Sequence, residues 1–323
     1  MEHRAESMLD KLLCGRADGA AVALRACPDE VYETVRERFG PAAPARLALC
    51  EPCRVEHPHS AYLRKTAVVQ GNPAVHTTLY APDGRLTEER AEDGTVFERY
   101  VKKPADFETL RGHLRDIELH PGKALPIPEN TSYLARLGLT PVRDMETRWA
   151  GPEMTSWALT TQDESAASCL RKLERQFHRR CEEAFRLGCR AGLLADMSAE
   201  PLPETYMLHA GRHIEWMRHT GLAPWVEVSR PEAMLLAALD AAHAGARVAL
   251  DNPALYEDGF APPETMRWMF DLTACIIMES MNLEAVNTMI AKYACSIFLI
   301  DCTNSTAQDV INAVEYFSNI AGI

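Results

Sequence analysis

A repeated alternation of short apolar runs and longer amphipathic stretches dominates the second half of the chain. The runs after Gly188 span 191–196, 223–228, 247–251, 274–279 and 296–301. Runs of this length and composition are typical of strands buried on both faces of a parallel sheet. The stretches between them carry apolar residues on one face, so they are predicted to be helices. The alternation favours βα units around one parallel sheet.

The first half of the chain supplies three further predicted strands. Gly19–Ala26 and Ala45–Pro52 are the first two, and the apolar stretch Thr147–Leu159 is a weaker third. With the five later runs they make eight, the number that closes a (β/α)8 barrel. A chain of 323 residues has room for such a barrel and an addition. We therefore predict a single α/β domain over residues 1–323, a TIM-type barrel.

An insertion of a different kind interrupts the barrel after its second strand. Alternating segments lie on either side of Pro82–Arg85 and Glu92–Thr95, and each of these turns contains an Asp-Gly dipeptide. Asp-Gly between alternating segments is a strong hairpin signal. We predict an inserted antiparallel β-hairpin or meander, followed by a helix, over about residues 70–125.

Charge and composition exclude several classes of function. Thirty-four basic against 46 acidic side chains give a net charge of -12, which argues against nucleic acid or an anionic membrane as the main partner. No run approaches ~18 consecutive apolar residues, and Met1–Leu13 lacks the pattern of a signal peptide. The ten cysteines are too dilute for a disulfide scaffold. We expect a cytoplasmic protein with reduced thiols.

Acidic residues stand at or near the end of every predicted strand in the second half: Asp196, Glu227, Asp251, Glu279 and Asp301. In a (β/α)8 barrel the carboxyl ends of the strands form the mouth of the active site. Each residue alone also suits the cap of the following helix. Five in succession favour a mouth that is lined with carboxylates, and the first four are our candidate catalytic residues.

The candidate substrate-binding residues are Arg25, His59, Trp225, Asp301 and Asn304. Trp225 also has the spacing of a core residue, and Asn304 also suits a helix cap. Basic residues near predicted strand ends are few, which disfavours a polycarboxylate substrate. They are Arg25, Arg54, Arg148 and Arg230.

A cluster of thiols and imidazoles, formed by Cys50, Cys53, His57 and His59, leaves three interpretations open. It is structural, it lines the active site, or it binds a soft metal, although the spacing is not that of a zinc finger. Cys302 follows the last strand and is predicted to reach the mouth, where it is a metal ligand only if other soft ligands converge. The glycine-rich phosphate loops and the G-x-S-x-G elbow do not occur in the sequence.

Four stretches together resemble the uroporphyrinogen decarboxylase superfamily, in the branch that includes corrinoid-dependent methyltransferases. His76–Gly122 resembles the hairpin, strand and helix of that branch, and Phe185–Met197 resembles its G-A-D strand. Pro203–Ser229 resembles the following helix and strand. Ser296–Phe317 resembles the closing strand with its cysteine and helix. The resemblance covers some 250 residues and implies a TIM-type barrel.

The chain also departs from this superfamily. The R-Q-A-G-R-Y segment and the F-S-D strand end of uroporphyrinogen decarboxylases are missing from their expected places. The zinc-dependent methyltransferases have H-x-C at the mouth of the fifth strand, where this chain has Glu227 and Ser229. Only Cys302 matches the zinc ligands of those enzymes. Zinc is therefore not expected as a cofactor.

The resemblance implies one half of a methyl-transfer reaction. A small methylated substrate would bind in the mouth, and a corrinoid (cobalamin) on a separate partner protein would accept the methyl group. A strand-end carboxylate would give a proton to the leaving heteroatom. Two alternatives stay open, namely a decarboxylase or other lyase of the same superfamily and a non-catalytic ligand-binding barrel. A homodimer is also left open.

Overall fold

The computed structural model describes residues 7–14, 21–123, 130–197, 206–228, 245–251, 275–278, 297–303 and 305–321. Numbered along the chain, the strands are β1 (Ala21–Arg25), β2 (Ala45–Cys50), β3 (Cys53–Glu56), β4 (Ala61–Val69), β5 (Asn72–Ala81), β6 (Gly84–Ala91), β7 (Val96–Glu98), β8 (Glu118–Pro121), β9 (Thr131–Gly138), β10 (Ala191–Leu194), β11 (Ala223–Val228), β12 (Arg247–Asp251), β13 (Cys275–Met278) and β14 (Ile297–Asp301). The α-helices within the described residues are α1 (Met8–Leu13), α2 (Asp29–Phe39), α3 (Asp106–Asp116), α4 (Pro141–Asp144), α5 (Gly151–Thr160), α6 (Glu164–Arg186), α7 (Tyr206–His219) and α8 (Ala307–Ala321).

Eight parallel strands close into a barrel in the order β1-β14-β13-β12-β11-β10-β9-β2. The ring closes where β1 pairs with both β14 and β2, so that Arg25 lies opposite Asp301 on one side and Leu47 on the other. The prediction of an α/β fold of the (β/α)8 type is confirmed. Strands β11 and β12 have the predicted bounds, and β10 ends two residues earlier than predicted. The described residues of β13 and β14 lie within the predicted runs 274–279 and 296–301.

The predicted third strand is wrong. Residues 147–159 lie in a π-helix, Met145–Ala150, and in α5. Pro152 stands in the first turn of α5, where its missing N–H costs nothing. Buried Thr155 and Ala158 are three residues apart, as on one face of a helix. The third strand of the barrel is β9, which pairs with β2 and β10.

The chain divides into two compact units. The barrel unit comprises residues 1–52, 123–138 and 184–323, and the inserted unit comprises 53–122 and 139–183. The inserted unit therefore includes more of the chain than the predicted 70–125 subregion, and its two segments flank β9.

Helix α1 closes the amino end of the barrel. Leu9, Leu12 and Leu13 pack with the inward-facing side chains of the strands in one buried cluster. The Trp225 indole N–H donates to the Leu13 carbonyl oxygen over 2.9 Å, and the guanidinium of Arg247, the first residue of β12, donates to the Leu12 carbonyl oxygen over 3.3 Å. The carboxyl ends of the strands are opposite this closure.

A second apolar layer lies outside the barrel strands. Outward-facing Leu24 of β1 and Phe298 of β14 pack against α2 and α8. Phe298 stacks on Phe317 with 5.4 Å between the ring centroids. Burial of such side chains contributes about 1.5–3 kcal/mol each, so this layer holds both helices against the sheet.

The inserted unit contains two antiparallel sheets and several helices. Strands β4-β5-β6-β7 form a meander, and β3 pairs with β8. The predicted hairpin turns lie between β5 and β6 and between β6 and β7, and the predicted helix is α3. Strand β4, which the sequence analysis did not assign, pairs along its whole length with β5. A core that includes Phe107, Leu110 and Trp149 fills this unit.

Among the described residues, none of the helices combines the length and the apolar character needed to cross a membrane.

Candidate functional site

A cleft opens beside the carboxyl end of β1. Pairing between β1 and β2 stops at Arg25 and Leu47, whereas β2 continues to Cys50 and stays paired with β9. Among the described strands, none pairs with the carboxyl half of β2 on its β1 side. The resulting cleft measures about 560 Å³. It is lined by Leu24, Arg25, Ala26, Cys27, Arg46, Leu47, Ala48, Leu49, Thr131, Tyr133 and Arg136.

Three arginines from three adjoining strands line this cleft. Arg46 of β2 is largely buried, with 15% of its side chain exposed, and it pairs with Asp29 at the start of α2. Its guanidinium also lies 4.1 Å from the ring centroid of Tyr32. These contacts fix the Arg46 side chain between the strand and α2, because cation–π and ionic contacts act on the same planar group.

The other two arginines leave more of their side chains accessible. Arg136 of β9 is 48% exposed and reaches the Glu51 carboxylate only at 3.8 Å, which is too long for a hydrogen bond. Arg25 is half-buried at the last position of β1, two residues after Ala23 of the barrel interior. Side chains two residues apart share one face of a strand, so Arg25 lies on the inner face. The cleft thus brings three guanidinium groups together beside the carboxyl end of β1.

Polar and sulfur groups complete the lining. Tyr133 and Thr131 of β9 are both buried. Cys27 is half-buried, and a hydrogen bond with the Cys302 thiol lowers its pKa; burial opposes this change, and nearby Arg46 adds to it. The guanidinium groups in the same lining are able to pair with a negatively charged group.

The predicted catalytic carboxylates have different placements. Asp196 lies two residues beyond β10 and is fully buried. Glu227 is half-buried on β11, two residues after inward-facing Trp225, and so lies on the inner face. Asp251 is the last residue of β12. The side chain of Asp251 and the whole of Glu279 lie outside the described part of the chain.

The predicted substrate-binding residues are also spread over the structure. Trp225 is fully buried in the barrel interior beneath α1, which matches the core interpretation rather than a contact with substrate. His59 belongs to the inserted unit, where its backbone N–H donates to Asp116 over 3.0 Å. Asp301 ends β14 opposite Arg25. The side chain of Asp301 and the whole of Asn304 lie outside the described part of the chain. Arg25 is the predicted binding residue that lines the cleft.

The prediction that Cys302 reaches the mouth is wrong. Cys302 is fully buried in the outer apolar layer with residues of α8, because it is one position out of phase with the inward-facing side chains of β14. No group of three or more potential metal ligands occurs among the described residues.

The thiols of the Cys-x-x-Cys segment lie in different units. Cys50 is buried in the barrel unit, where a hydrogen bond with Cys189 lowers the pKa of Cys50 and raises that of Cys189. Cys53 begins β3 of the inserted unit. His57 of that unit stacks on His113, with 5.0 Å between ring centroids. Cys50 thus has a packing partner that the local sequence pattern did not indicate.

Sequence reasoning missed Arg46, Arg136 and Tyr133 as site residues. Two of them lie on β9, whose sequence from Thr131 to Gly138 was not assigned to a strand. The expectation of few basic residues concerned predicted strand ends, and Arg46 and Arg136 add to the cleft from positions within strands. A usable signal was present, because Tyr133, Leu134, Ala135 and Leu137 form a short apolar run after a proline-rich segment.

Comparison with known proteins gives a likeness of fold. No protein-family model and no curated protein matches the chain. Among solved structures, D-psicose 3-epimerase with D-fructose is similar with a TM-score of 0.38 and 10% identity, over 69% of this chain and 86% of that one. The TTHB071 protein from Thermus thermophilus has a TM-score of 0.40 and 11% identity, and the match covers 94% of this chain and 98% of that one. The tryptophan synthase complex from Pyrococcus furiosus has a TM-score of 0.37 and 9% identity, and the match covers 95% of this chain and 99% of that one. Likeness at this level carries no argument about the chemistry of this chain.

Proposed function

We propose that the protein is a barrel enzyme that binds a small carboxylate-bearing substrate in the cleft beside β1, β2 and β9 and acts on it by proton transfer. The observation that carries this proposal is the convergence of Arg25, Arg46 and Arg136 on one cleft of about 560 Å³. Guanidinium groups bind carboxylates by paired, charge-assisted hydrogen bonds. A volume of this size suits a small molecule.

The arginines divide into two roles. Arg46 is already paired with Asp29 and packed on Tyr32, so its side chain is held in place and shapes the cleft. Arg25 and Arg136 are the more accessible cations and would contact the substrate carboxylate directly. This arrangement also stabilises the extra negative charge that develops on a carboxylate when a neighbouring C–H or C–C bond breaks.

Glu227 is our choice for the proton-transfer group. It lies on the inner face of β11, and the barrel brings the inner faces of all its strands to a common rim at the carboxyl end. In the proposed reaction Glu227 accepts a proton from the carbon next to the substrate carboxylate and returns it, while the arginines hold the resulting enolate. An isomerase returns the proton to the same carbon skeleton. In a lyase the enolate electrons form a C=C bond and expel the leaving group, which takes the proton.

Binding is tested first. Isothermal titration calorimetry with a panel of small mono- and dicarboxylates is carried out on the wild type, Arg25→Gln, Arg136→Gln and the control Arg38→Gln. Arg38 is an exposed arginine of the barrel unit that pairs with Glu315 and does not line the cleft. We expect either cleft variant to weaken binding by about tenfold or more, since one lost charged contact amounts to about 1.5–3 kcal/mol. Equal binding by all four proteins, or no binding, would overturn the proposal.

Turnover is tested separately. Exchange of solvent deuterium into a bound carboxylate should occur with the wild type and be lost in Glu227→Gln, while binding persists. Binding without exchange or turnover would support the non-catalytic barrel instead. The corrinoid-linked methyl transfer that the family resemblance implies stays a prediction, with a direct test of its own. Methylation of cob(I)alamin from a small methylated donor, dependent on this protein, would replace our proposal.

A further inference from the structure

The inserted unit contains a second cationic cleft, which lies between α3 and α6. Its volume is about 230 Å³. Five basic side chains and one hydroxyl line it: Arg111, Arg115, Ser168, Arg171, Lys172 and Arg175. From the sequence alone the basic stretch around Arg171 is most simply a solvated helix face, but the structure brings part of it against two arginines of α3.

Carboxylates neutralise only part of this charge. Arg111 pairs with Glu108, and Arg171 pairs with Glu164 at 2.5 Å. Within the described residues, no ion pair with a carboxylate is formed by Arg115, Lys172 or Arg175. Three of the five cations that line the cleft therefore form no ion pair within the described residues, in a chain whose net charge is -12.

The spacing of these cations along the helices is unfavourable without a ligand. Arg111 and Arg115 are four residues apart on α3, and Arg171 and Arg175 are four residues apart on α6. Like charges at this spacing repel each other on a helix. An anion between the two helices would offset the repulsion on both.

Arg111 also has an unused hydrogen-bond donor. Its Nε is buried and has no hydrogen-bond partner among the described atoms. A buried donor without an acceptor is costly, so the Arg111 side chain is not fully satisfied in this arrangement. Ser168 adds a hydroxyl that can donate to an anion in the cleft.

We infer that the cleft between α3 and α6 is a binding site for a compact, multiply charged phosphate group of the size of pyrophosphate. Arg115, Lys172 and Arg175 supply the charge, and Ser168 supplies a hydroxyl. A single carboxylate carries one negative charge for these three cations, whereas pyrophosphate carries several. This site is distinct from the barrel cleft, since every residue that lines it belongs to the inserted unit.

The test uses the full chain and inorganic pyrophosphate as the probe. Calorimetric titration is carried out on the wild type, Arg115→Gln, Arg175→Gln and Arg136→Gln. We expect each of the first two variants to weaken pyrophosphate binding by about tenfold or more, and Arg136→Gln to leave this site unchanged. The control Arg54→Gln removes a charge from a 72% exposed arginine of the same unit that does not line the cleft, and it should bind like the wild type.

Salt provides a second readout. Binding should weaken steeply between low and physiological ionic strength, because the cleft is open to solvent and its charges are screened. Inorganic phosphate should bind more weakly than pyrophosphate. The inference is overturned if the Arg115 and Arg175 variants bind pyrophosphate like the wild type, or if binding disappears only in Arg136→Gln, which would assign the ligand to the barrel cleft. It is also overturned if the folded wild type shows no binding at millimolar pyrophosphate.

Discussion

The indole N–H of Trp225 donates a hydrogen bond to the carbonyl oxygen of Leu13 across 2.9 Å, in the buried interior of the barrel. The two residues are separated by most of the chain, and the bond attaches the last turn of α1 to the centre of β11. Because the tryptophan is fully buried, its ring both fills the interior and satisfies a carbonyl at the end of the helix.

Trp225→Phe should destabilise the protein by about 1–3 kcal/mol, because the Leu13 carbonyl loses its donor and the smaller ring leaves space. The free energy of unfolding from urea titration measures this loss. Tyr80→Phe, at a 43% exposed position, removes a polar atom without this consequence and should change stability by less than about 0.5 kcal/mol. Equal stability of Trp225→Phe and the wild type would show that α1 is held by other contacts alone.

Two glycines give opposite expectations for the same substitution. A Cβ on Gly192 of β10 would lie 2.5 Å from Leu137 Cδ1 and 2.8 Å from Met217 Cε, so Gly192→Ala should cost about 1–3 kcal/mol through overpacking. A Cβ on Gly211 of α7 meets nothing within 4 Å, so Gly211→Ala should stabilise by about 0.4–1 kcal/mol through helix propensity. Thermal unfolding of both variants checks the pair. A gain of stability in Gly192→Ala would contradict the packing of α7 on the sheet.

His113 should make the inserted unit sensitive to acid. It is fully buried, with Tyr62 Oη 3.0 Å from its Nε2 and Ser60 Oγ 2.9 Å from its Nδ1. Its pKa is lowered to about 4, first by burial and then by the stacked His57, while Asp116 opposes the change. The pKa of His113 is lower in the folded protein than the value of 6.5 in the unfolded chain, so protonation favours the unfolded chain. This group therefore costs no stability above pH 6.5. Its cost to the free energy of unfolding grows as the pH falls from 6.5 towards 4.

The expected loss at pH 4 is at most about 3 kcal/mol, from about 1.4 kcal/mol per pKa unit. Urea titrations at several pH values between about 7.5 and 4.5 measure it. His113→Gln cannot take up a proton, so its stability should vary less with pH than that of the wild type. His219→Gln, at an exposed position of α7, should keep the wild-type dependence. Parallel curves for all three proteins would refute the assignment to His113.

Cys27 should be the most reactive of the eight described thiols. It is half-buried in the barrel cleft, and its contact with Cys302 lowers its pKa, whereas burial raises the pKa of Cys169 and of Cys181 to about 12. Because the thiolate is the nucleophile, iodoacetamide at about pH 7.5 should modify Cys27 first. Peptide mass spectrometry after timed labelling measures the order. A carboxylate that occupies the cleft should slow labelling of Cys27, and earlier labelling of Cys169 would contradict the prediction.

The barrel was predictable because its later strands are short apolar runs separated by amphipathic helices. Strands β11 and β12 therefore have the expected bounds. Strand β9 was missed because Ser132 and Arg136 interrupt its apolar run and a proline-rich segment precedes it. The stretch 147–159 is equally apolar, and hydropathy alone does not separate a short strand from a buried helix.

The candidate site was less accessible to sequence reasoning. Arg25 was identified in advance, since it stands at the end of a predicted strand. Arg46 and Arg136 line the same cleft only because β2 extends beyond its last pair with β1 and because β9 pairs with β2. That convergence depends on strand register, which no local pattern specifies for strands that are buried on both faces.

The position of β9 between the two segments of the inserted unit has a consequence for folding kinetics. The chain reaches this strand from β2 through residues 53–122 and leaves it for β10 through 139–183. While those segments are unfolded, β9 is tethered to its neighbours by long flexible loops, and the entropy of closing them opposes its insertion. Once they are folded, the segments no longer sample those open conformations. Closure of the barrel is therefore expected to follow collapse of the inserted unit. Substitutions that weaken the core around Phe107 should slow assembly of the barrel sheet, although Phe107 is not part of that sheet.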